Sequence, residues 1–420
     1  MDVHHGLAGG RRVSVERADH SRIVAERGRG FVDHPYAFRG HEYAHRTYVV
    51  NGRVYDRFYG RYPYRGVYLD VYAPVAYYPV GFYGWAYNPW VAPVPYAWVG
   101  WAGAPWYAYY GPYFAPYPVY ANASLWLTDY LISQSLIASY QAQVAAQAAA
   151  SQPPPPLPAG QVALTPDVKQ AIADEVRRQV ALENAEAQAN TQNADFNGQS
   201  SGIARMLADG MPHTFVVGTN LDLTDASGQE CAMSEGDVLQ LATPPPPTAT
   251  AANLIVMASK GGVECRRSSL VSVNLPDLQD MQNHMRETID EGLGNLQAHK
   301  GGLPTPPPSA MAMVQPASFS VGAPPPDQTA ATQINQQLQD ADKAEQETLA
   351  EAPGQAPLAP IAPPAAPAGP PPTLSAGMST DQVIGILGQP KNIVDLGAKK
   401  IYVYLDLKVT FQDGKVSNIE

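Results

Sequence analysis

Two cysteines in 420 residues leave little room for thiol chemistry. Cys231 and Cys265 form no Cys-x-x-Cys, which disfavours thioredoxin-like exchange and cysteine-based zinc sites. No stretch of about 18 uninterrupted apolar residues occurs, so no transmembrane helix is expected. The opening Met1-Asp2-Val3-His4-His5 lacks a basic segment followed by an apolar one, and no signal peptide is expected from it. Charged residues are sparse at 15%, and residues 1–66 hold no Lys. No nucleophile–base constellation stands out, so neither an enzyme nor a cofactor is expected. Proline and glycine are abundant instead, at 41 and 35, which points to extensive linker or low-complexity sequence. Charge is also uneven. Residues 1–66 carry twelve Arg against seven acids, whereas the whole chain nets −11. That is a basic head on an acidic body.

The clearest internal pattern lies between Phe215 and Val273. Gly228-Gln229-Glu230-Cys231-Ala232-Met233-Ser234 and Gly262-Val263-Glu264-Cys265-Arg266-Arg267-Ser268 share Gly-x-Glu-Cys-x-x-Ser. Each follows an Asn-Leu strand start, at Asn220 and Asn253, and each precedes a β-type run. Equivalent positions in two halves are easily brought together, so a Cys231–Cys265 disulfide is expected; two reduced core thiols are the alternative. Strands are expected near 213–218, 220–224, 229–233, 237–241, 253–258, 263–266 and 269–273. Together they suggest a small duplicated barrel or sandwich of the kind that binds peptides or glycans. Glu230 and Glu264 are expected to cap turns.

Upstream, Arg12–Glu16, Ile23–Glu26, Glu42–Val50 and Arg53–Tyr59 alternate like antiparallel strands. Asn51-Gly52 suits a type I′ turn. Arg and Tyr interleave here, and the simple expectation is Arg on one face and Tyr on the other. Phosphate pairing and base stacking would make the region a nucleic-acid binder, which the acidic remainder opposes. His41-Glu42-Tyr43-Ala44-His45 matches the H-E-x-x-H zinc-hydrolase pattern, which requires a helix to turn His41 and His45 the same way. The neighbouring strand and turn residues favour a strand, so no metal is expected.

Residues 67–120 concentrate Tyr, Trp, Pro and Gly. Trp85, Trp90, Trp98, Trp101 and Trp106 form a candidate aromatic binding surface for glycan, lipid or protein. An irregular wrap that buries its own rings is the alternative. Tyr96-Ala97-Trp98-Val99-Gly100-Trp101 resembles the Tyr-x-Trp-Gly-x-Trp motif of uncharacterised bacterial envelope proteins, with Val99 where the motif has Gly.

Ala123–Ala150 reads as a helix with a broad apolar side, and Pro153–Pro156 as a stiff linker. Thr165-Pro166-Asp167 opens a second helix carrying Val168, Ile172, Val176 and Val180, so the two helices could pair or form a homo-oligomer contact. Pro276-Asp277 opens another, with Leu278, Met281, Met285 and Ile289 as its buried face and His284 at the surface. Residues 301–373 read as disordered linker with one short helix near 332–350.

The C-terminal residues carry the most specific motif. Ser379 and Gln382 make a capping box, Gly388 ends the helix and Pro390 prevents its continuation. Strands at Lys400–Leu405 and Leu407–Phe411 lead to an Asp413-Gly414 turn. Gly377, Met378, Val383, Leu387, Gly388, Pro390, Tyr402 or Tyr404, Val409, Phe411, Gly414 and Val416 fit the pattern of the SmpA/OmlA (BamE-like) outer-membrane lipoprotein domain, which this segment resembles. The resemblance implies a small α+β interaction module of the bacterial cell envelope, with Val383, Leu387, Gly388, Pro390, Tyr404, Val409 and Phe411 in its core. The family's lipid-anchored N-terminal Cys has no counterpart near the start of this sequence.

The expected architecture is a multi-domain α+β chain. Its segments are 1–66 β hairpins, 67–120 aromatic low complexity, 121–196 amphipathic helices, 201–300 duplicated β domain plus helix, 301–373 linker and 374–420 SmpA/OmlA-like module. The expected function is non-enzymatic binding or scaffolding in the periplasm or outer membrane, with a protein, glycan or lipid partner and no nucleic acid. The alternatives are a zinc hydrolase at His41, Glu42 and His45, or nucleic-acid binding by the Arg-rich hairpins.

Overall fold

The computed structural model describes residues 1–7, 10–149, 162–261, 263–298, 303–306, 308–310, 313–351, 375, 377–388, 390, 392–396, 399–404, 407–412 and 414–419. The chain is mixed α+β and divides into two compact units, Met1–Ala352 and Pro353–Glu420. The sequence boundaries near 66, 120, 196 and 300 all fall inside the first unit. The Pro153–Pro156 linker, the Pro-rich run after Pro353 and Asp413 lie outside the described residues.

Seven consecutive strands open the first unit: β1 Asp2–His5, β2 Arg11–Glu16, β3 Arg22–Glu26, β4 Arg29–Phe38, β5 His41–Val50, β6 Arg53–Tyr64 and β7 Val67–Ala73. They pair in sequence order as one antiparallel meander. The turns explain the simple order. Asn51-Gly52, Arg39-Gly40 and Arg65-Gly66 all take positive φ at both residues, the two-residue geometry whose twist matches the flanking strands.

Strand periodicity gives this sheet two unlike faces. One carries Val13, Ile23, Ala25, Val32 and Val49, and is covered by a helix from far along the chain. The other carries cross-strand rows of charge and aromatics: Arg12–Glu26–Arg29, Phe31–Tyr48–Tyr55 and Arg22–Asp33–Arg46–Arg57. Arg and Tyr therefore share a face. The expected separation fails because the opposite face is apolar and already covered.

After β8 (Ala76–Tyr77) come short helices α1 (Val80–Tyr87) and α2 (Pro105–Tyr110), then α3 (Ala123–Ala149) and α4 (Pro166–Thr191). Thr165 caps α4 through its hydroxyl, which accepts from Val168 N. Helices α3 and α4 bury their apolar sides within one core, where Val168, Ile172, Val176 and Val180 are at most 1% exposed. Lys169 and Asp129 add a buried ion pair between them at 2.8 Å. Among the described residues most of the apolar side of α3 and α4 is covered by the chain itself, so these helices give the expected homo-oligomer contact no support.

One-turn helices α5 (Gly198–Ser201) and α6 (Ile203–Met206) precede the cysteine region. Its strands are β9 Thr214–Val216, β10 Leu221–Thr224, β11 Glu230–Met233, β12 Val238–Leu241, β13 Ala251–Ala258 and β14 Leu270–Asn274. They form a four-stranded sheet, β14-β13-β12-β9, and a β10-β11 hairpin. The two repeat copies differ in conformation. The first lies on β11, whereas residues 263–266 form no strand and touch it through one parallel bridge, Ala232–Glu264. Cys231 and Cys265 are joined in a disulfide.

Helix α7 (Leu275–Gln297) follows, then β15 (Gln315–Pro316), which pairs with β8, and α8 (Ala330–Glu351). Helix α8 sets Ala330, Ile334 and Ala341 on the apolar face of the meander. This is the short helix expected near 332–350 within the linker stretch, and it is packed on the first unit. Its apolar residues, spaced three to four apart, find a sheet face with no other cover.

The second unit holds α9 (Thr380–Leu387) and a meander of β16 Asn392–Leu396, β17 Lys399–Val403, β18 Lys408–Gln412 and β19 Lys415–Ile419. The Ser379–Gln382 capping box is present, and Gly388 closes the helix at φ 79°. Val383, Val409, Phe411, Tyr402 and Val416 make its core. Three expected core positions differ. Leu387 is 37% exposed, Gly388 is exposed, and Tyr402 is buried where Tyr404 was expected. Tyr404 lies just beyond β17 and sits at the core's margin, where its hydroxyl donates to Gly388 O at 3.2 Å. Pro390 is half-buried.

Candidate ligand-binding cleft

The polar face of the meander, α7 and the C-terminal half of α3 enclose a cleft of about 300 Å³. Its depth comes from how α7 is attached. Asn283 accepts from Tyr72 N at 2.8 Å and donates to Asp70 O at 2.7 Å, while Arg286 donates to Tyr72 O at 3.1 Å. These bonds satisfy backbone groups along β7, the last strand of the meander, and hold α7 against it. Glycine at 218 admits His284, since a Cβ there would come within 2.4 Å of the imidazole.

Helix α7 presents Asp280, His284, Glu287 and Glu291 to the cleft. They recur every three or four residues, on the side away from Leu278, Met281, Met285 and Ile289. Facing them on the sheet are Arg12, Arg29, Arg46 and Arg57, with Phe31, Tyr48 and Tyr55 between.

Most of these groups are tied into one network. Arg46 forks onto Asp33, Nε to Oδ1 at 2.7 Å and a terminal nitrogen to Oδ2 at 3.2 Å. Its guanidinium lies 4.0 Å from the centre of the Phe31 ring and 4.2 Å from that of Tyr59. It also donates to Tyr48 Oη at 3.2 Å, and Tyr48 Oη lies 2.8 Å from Tyr59 Oη. Tyr59 then donates to Glu287 at 2.5 Å. Arg29 pairs with Glu26 and with Glu235.

Other groups are only partly engaged. Arg57 makes no ion pair among the described residues; a terminal nitrogen donates to Asp56 O at 3.5 Å, its guanidinium lies 5.2 Å from the centre of the Tyr55 ring, and its Nε is buried without a hydrogen-bond partner. Asp280 accepts no hydrogen bond there. Burial raises the Asp280 carboxyl above its usual range, and Arg46, Arg22 and Arg12 pull the other way. Glu287 is raised for the same first reason, opposed by Arg57 and by the Tyr59 hydroxyl. Burial pushes His284 down to about 4, so its imidazole is neutral near pH 7. Its Nε2 lies 2.8 Å from Ser135 Oγ. His284 is therefore half-buried in the cleft, because α3 closes over part of the side of α7 expected to face solvent.

The residues singled out in the sequence lie elsewhere. His41 and His45 are on strand β5, where an i, i+4 pair is separated by roughly 13 Å. His45 is buried against Phe58 at 4.4 Å and bonds Asp56 at 2.9 Å, whereas His41 is exposed. Among the described residues no group of three or more His, Cys, Asp or Glu could hold a metal. The zinc alternative thus lacks the helical turn it needs. Trp85, Trp90, Trp98 and Trp101 are half-buried and Trp106 is buried. Trp98 stacks on Trp101 at 4.2 Å and on Trp126 of α3 at 5.0 Å, and Trp126 stacks on Tyr130 at 5.2 Å. The aromatic segment spends its rings on one another and on α3. It is a wrap around the helical core, since Pro at nine positions prevents longer elements while the rings still seek cover. The polar stripe Asp280, His284, Glu287 and Glu291 on α7 is a sequence signal that could have marked one wall of the cleft, although it does not disclose the sheet residues opposite.

Comparison with protein families, curated proteins and solved structures finds no match to this chain.

Proposed function

We propose that this chain is a non-enzymatic binding protein of the bacterial cell envelope, and that the cleft takes a hydroxyl-rich ligand such as a short glycan. The supporting observation is the pairing of unspent donors and acceptors across it. Arg57 offers guanidinium N–H groups from the sheet, and Asp280 offers a carboxylate from α7. Sugar hydroxyls both donate and accept, so they satisfy both walls at once, while Tyr48 and Tyr55 supply a flat apolar surface for ring C–H groups. The cleft volume falls at the lower end of small-ligand sites, about 300–1,000 Å³. A disulfide suits an oxidising compartment, and the motif of the second unit resembles an envelope interaction module. That unit would dock a protein partner while the cleft holds the glycan.

Calorimetric titration of the purified chain with soluble cell-wall disaccharide-peptides tests the proposal. Saturable binding is expected, weakened roughly tenfold or more by Arg57→Ala or Asp280→Ala, the usual cost of losing one hydrogen bond to a charged group. Absence of binding, or binding unchanged in both variants, contradicts it. Nucleic-acid binding is disfavoured because Arg46, Arg22, Arg61, Arg29 and Arg11 already pair with carboxylates of this chain.

A further inference from the structure

Beside the disulfide, at the open end of the β12–β13 hairpin, the side chains of Lys260, Asp237 and Glu264 meet in the protein interior. Lys260 and Asp237 are at most 3% exposed. Lys260 Nζ is in direct contact with Asp237 Oδ1, and Glu264 Oε1 lies 3.4 Å from the same nitrogen. The Tyr113 ring centre is 5.8 Å away and helps exclude water. Glu264 is held in place by the Ser234 hydroxyl and the backbone N–H groups of Lys260 and Gly261. Asp237 Oδ2 accepts from Ser234 N at 2.7 Å.

This arrangement contains every part of a self-condensing amide site: an amine touching a carboxyl group, a second carboxylate within reach as proton carrier, and a backbone N–H on the oxygen that stays. We propose that Lys260 and Asp237 join in an intramolecular isopeptide bond, with Glu264 as the proton carrier.

The atoms balance without any co-reactant. A proton passes from the Lys260 ammonium to Asp237 Oδ1, leaving an amine and a carboxylic acid. The Nζ lone pair attacks Cγ and forms the C–N bond. Negative charge developing on Oδ2 is met by Ser234 N–H. Glu264 takes one proton from Nζ and delivers it to Oδ1. The Cγ–Oδ1 bond breaks, water leaves, and Glu264 returns to its carboxylate form. Burial favours the neutral acid that the reaction needs, and pushes Asp237 up to about 8 against the pull of Lys260. Desolvation acts against the ammonium too, but Asp237 and Glu264 outweigh it. The amine is therefore freed only by handing its proton to a carboxylate in contact. The product would tie β12 to β13 next to the Cys231–Cys265 bridge, closing the same end of the domain twice.

Intact mass of the full chain, reduced and denatured, decides the matter. The expected mass is one water below that of the sequence, with a branched proteolytic fragment joining Asp237 to Lys260. Lys260→Ala, Asp237→Ala and Glu264→Gln should each restore the full mass. Circular dichroism and the retained disulfide would show that Glu264→Gln, the mildest change, still folds. A wild-type chain at full mass overturns the proposal, as does a missing water mapped to any other pair. Loss of water in folded Glu264→Gln overturns the role given to Glu264.

Discussion

Tyr59 links the sheet to α7 through a single hydroxyl, between Tyr48 on one side and Glu287 on the other. Burial raises its own ionisation well above the usual phenol value, so it remains a donor. Replacing it with Phe keeps the ring but leaves the half-buried Glu287 without this donor. The expected cost is about 1–3 kcal/mol in urea unfolding, and an unchanged midpoint would show that the link carries no weight. Two histidines should make stability respond to pH in opposite directions. His284 falls to about 4 in the folded chain from an ordinary 6.5. Below pH 6.5 the unfolded chain takes up a proton that the folded chain refuses, so stability drops from 6.5 toward 4. His213 has its pKa raised: burial opposes its charge, but Glu175 and Asp209 prevail at 2.9 Å each. Its contribution is full below 6.5 and disappears as pH rises through the folded value. Relative to wild type, His284→Gln should gain stability at pH 5, whereas His213→Gln should lose more at pH 5 than at pH 9. Denaturant midpoints at the two pH values check both signs.

At the scale of elements, the meander and α8 depend on close packing at Gly30. A Cβ there would lie 2.6 Å from Val24 O and 3.0 Å from Ile334. Gly30→Ala should therefore cost about 1–3 kcal/mol, and Ile334→Ala about 2–5 kcal/mol, by thermal or urea unfolding. Loss of stability in neither variant would mean that α8 does not rest on this sheet. Much of this architecture was legible. Asn51-Gly52 announced its hairpin, Thr165-Pro166 its helix and Ser379–Gln382 its capping box, because each records a local backbone demand. Arg39-Gly40 and Arg65-Gly66 make the same kind of turn but were harder to read, since Arg carries no preference for positive φ. Six of the seven strands expected around the cysteines formed. The seventh, at 263–266, is reduced to the single Ala232–Glu264 bridge, and the Glu264 carboxylate turns back to accept from Lys260 N and Gly261 N. The cleft was the least legible feature. It joins residues 12–57 to residues 280–291, and no local pattern encodes that distance.

In the whole molecule, the long separations are what tie the first unit together. Arg11 reaches Asp342 and Glu345, His4 reaches Asp222, and Tyr36 donates to Phe319 O at 2.9 Å. Pro and Gly enrichment in residues 67–120 read as aromatic low complexity, either a binding surface or a wrap that buries its own rings, and the rings pack as a wrap whose turns those residues permit. Thiol titration of the denatured, unreduced protein should find no free thiol, and reduction should lower stability by ~2–4 kcal/mol. Two titratable thiols in freshly purified protein would remove the argument for an oxidising compartment. The central claim is that the cleft holds a hydroxyl-rich glycan. It is tested most directly by NMR of guanidinium groups in arginine-labelled protein titrated with soluble cell-wall disaccharide-peptides. The account predicts saturable shifts of Arg57 and Arg12, with Arg177 on α4 unmoved. Unmoved Arg57 and Arg12 signals at saturating glycan, or shifts confined to residues outside the cleft, would contradict it.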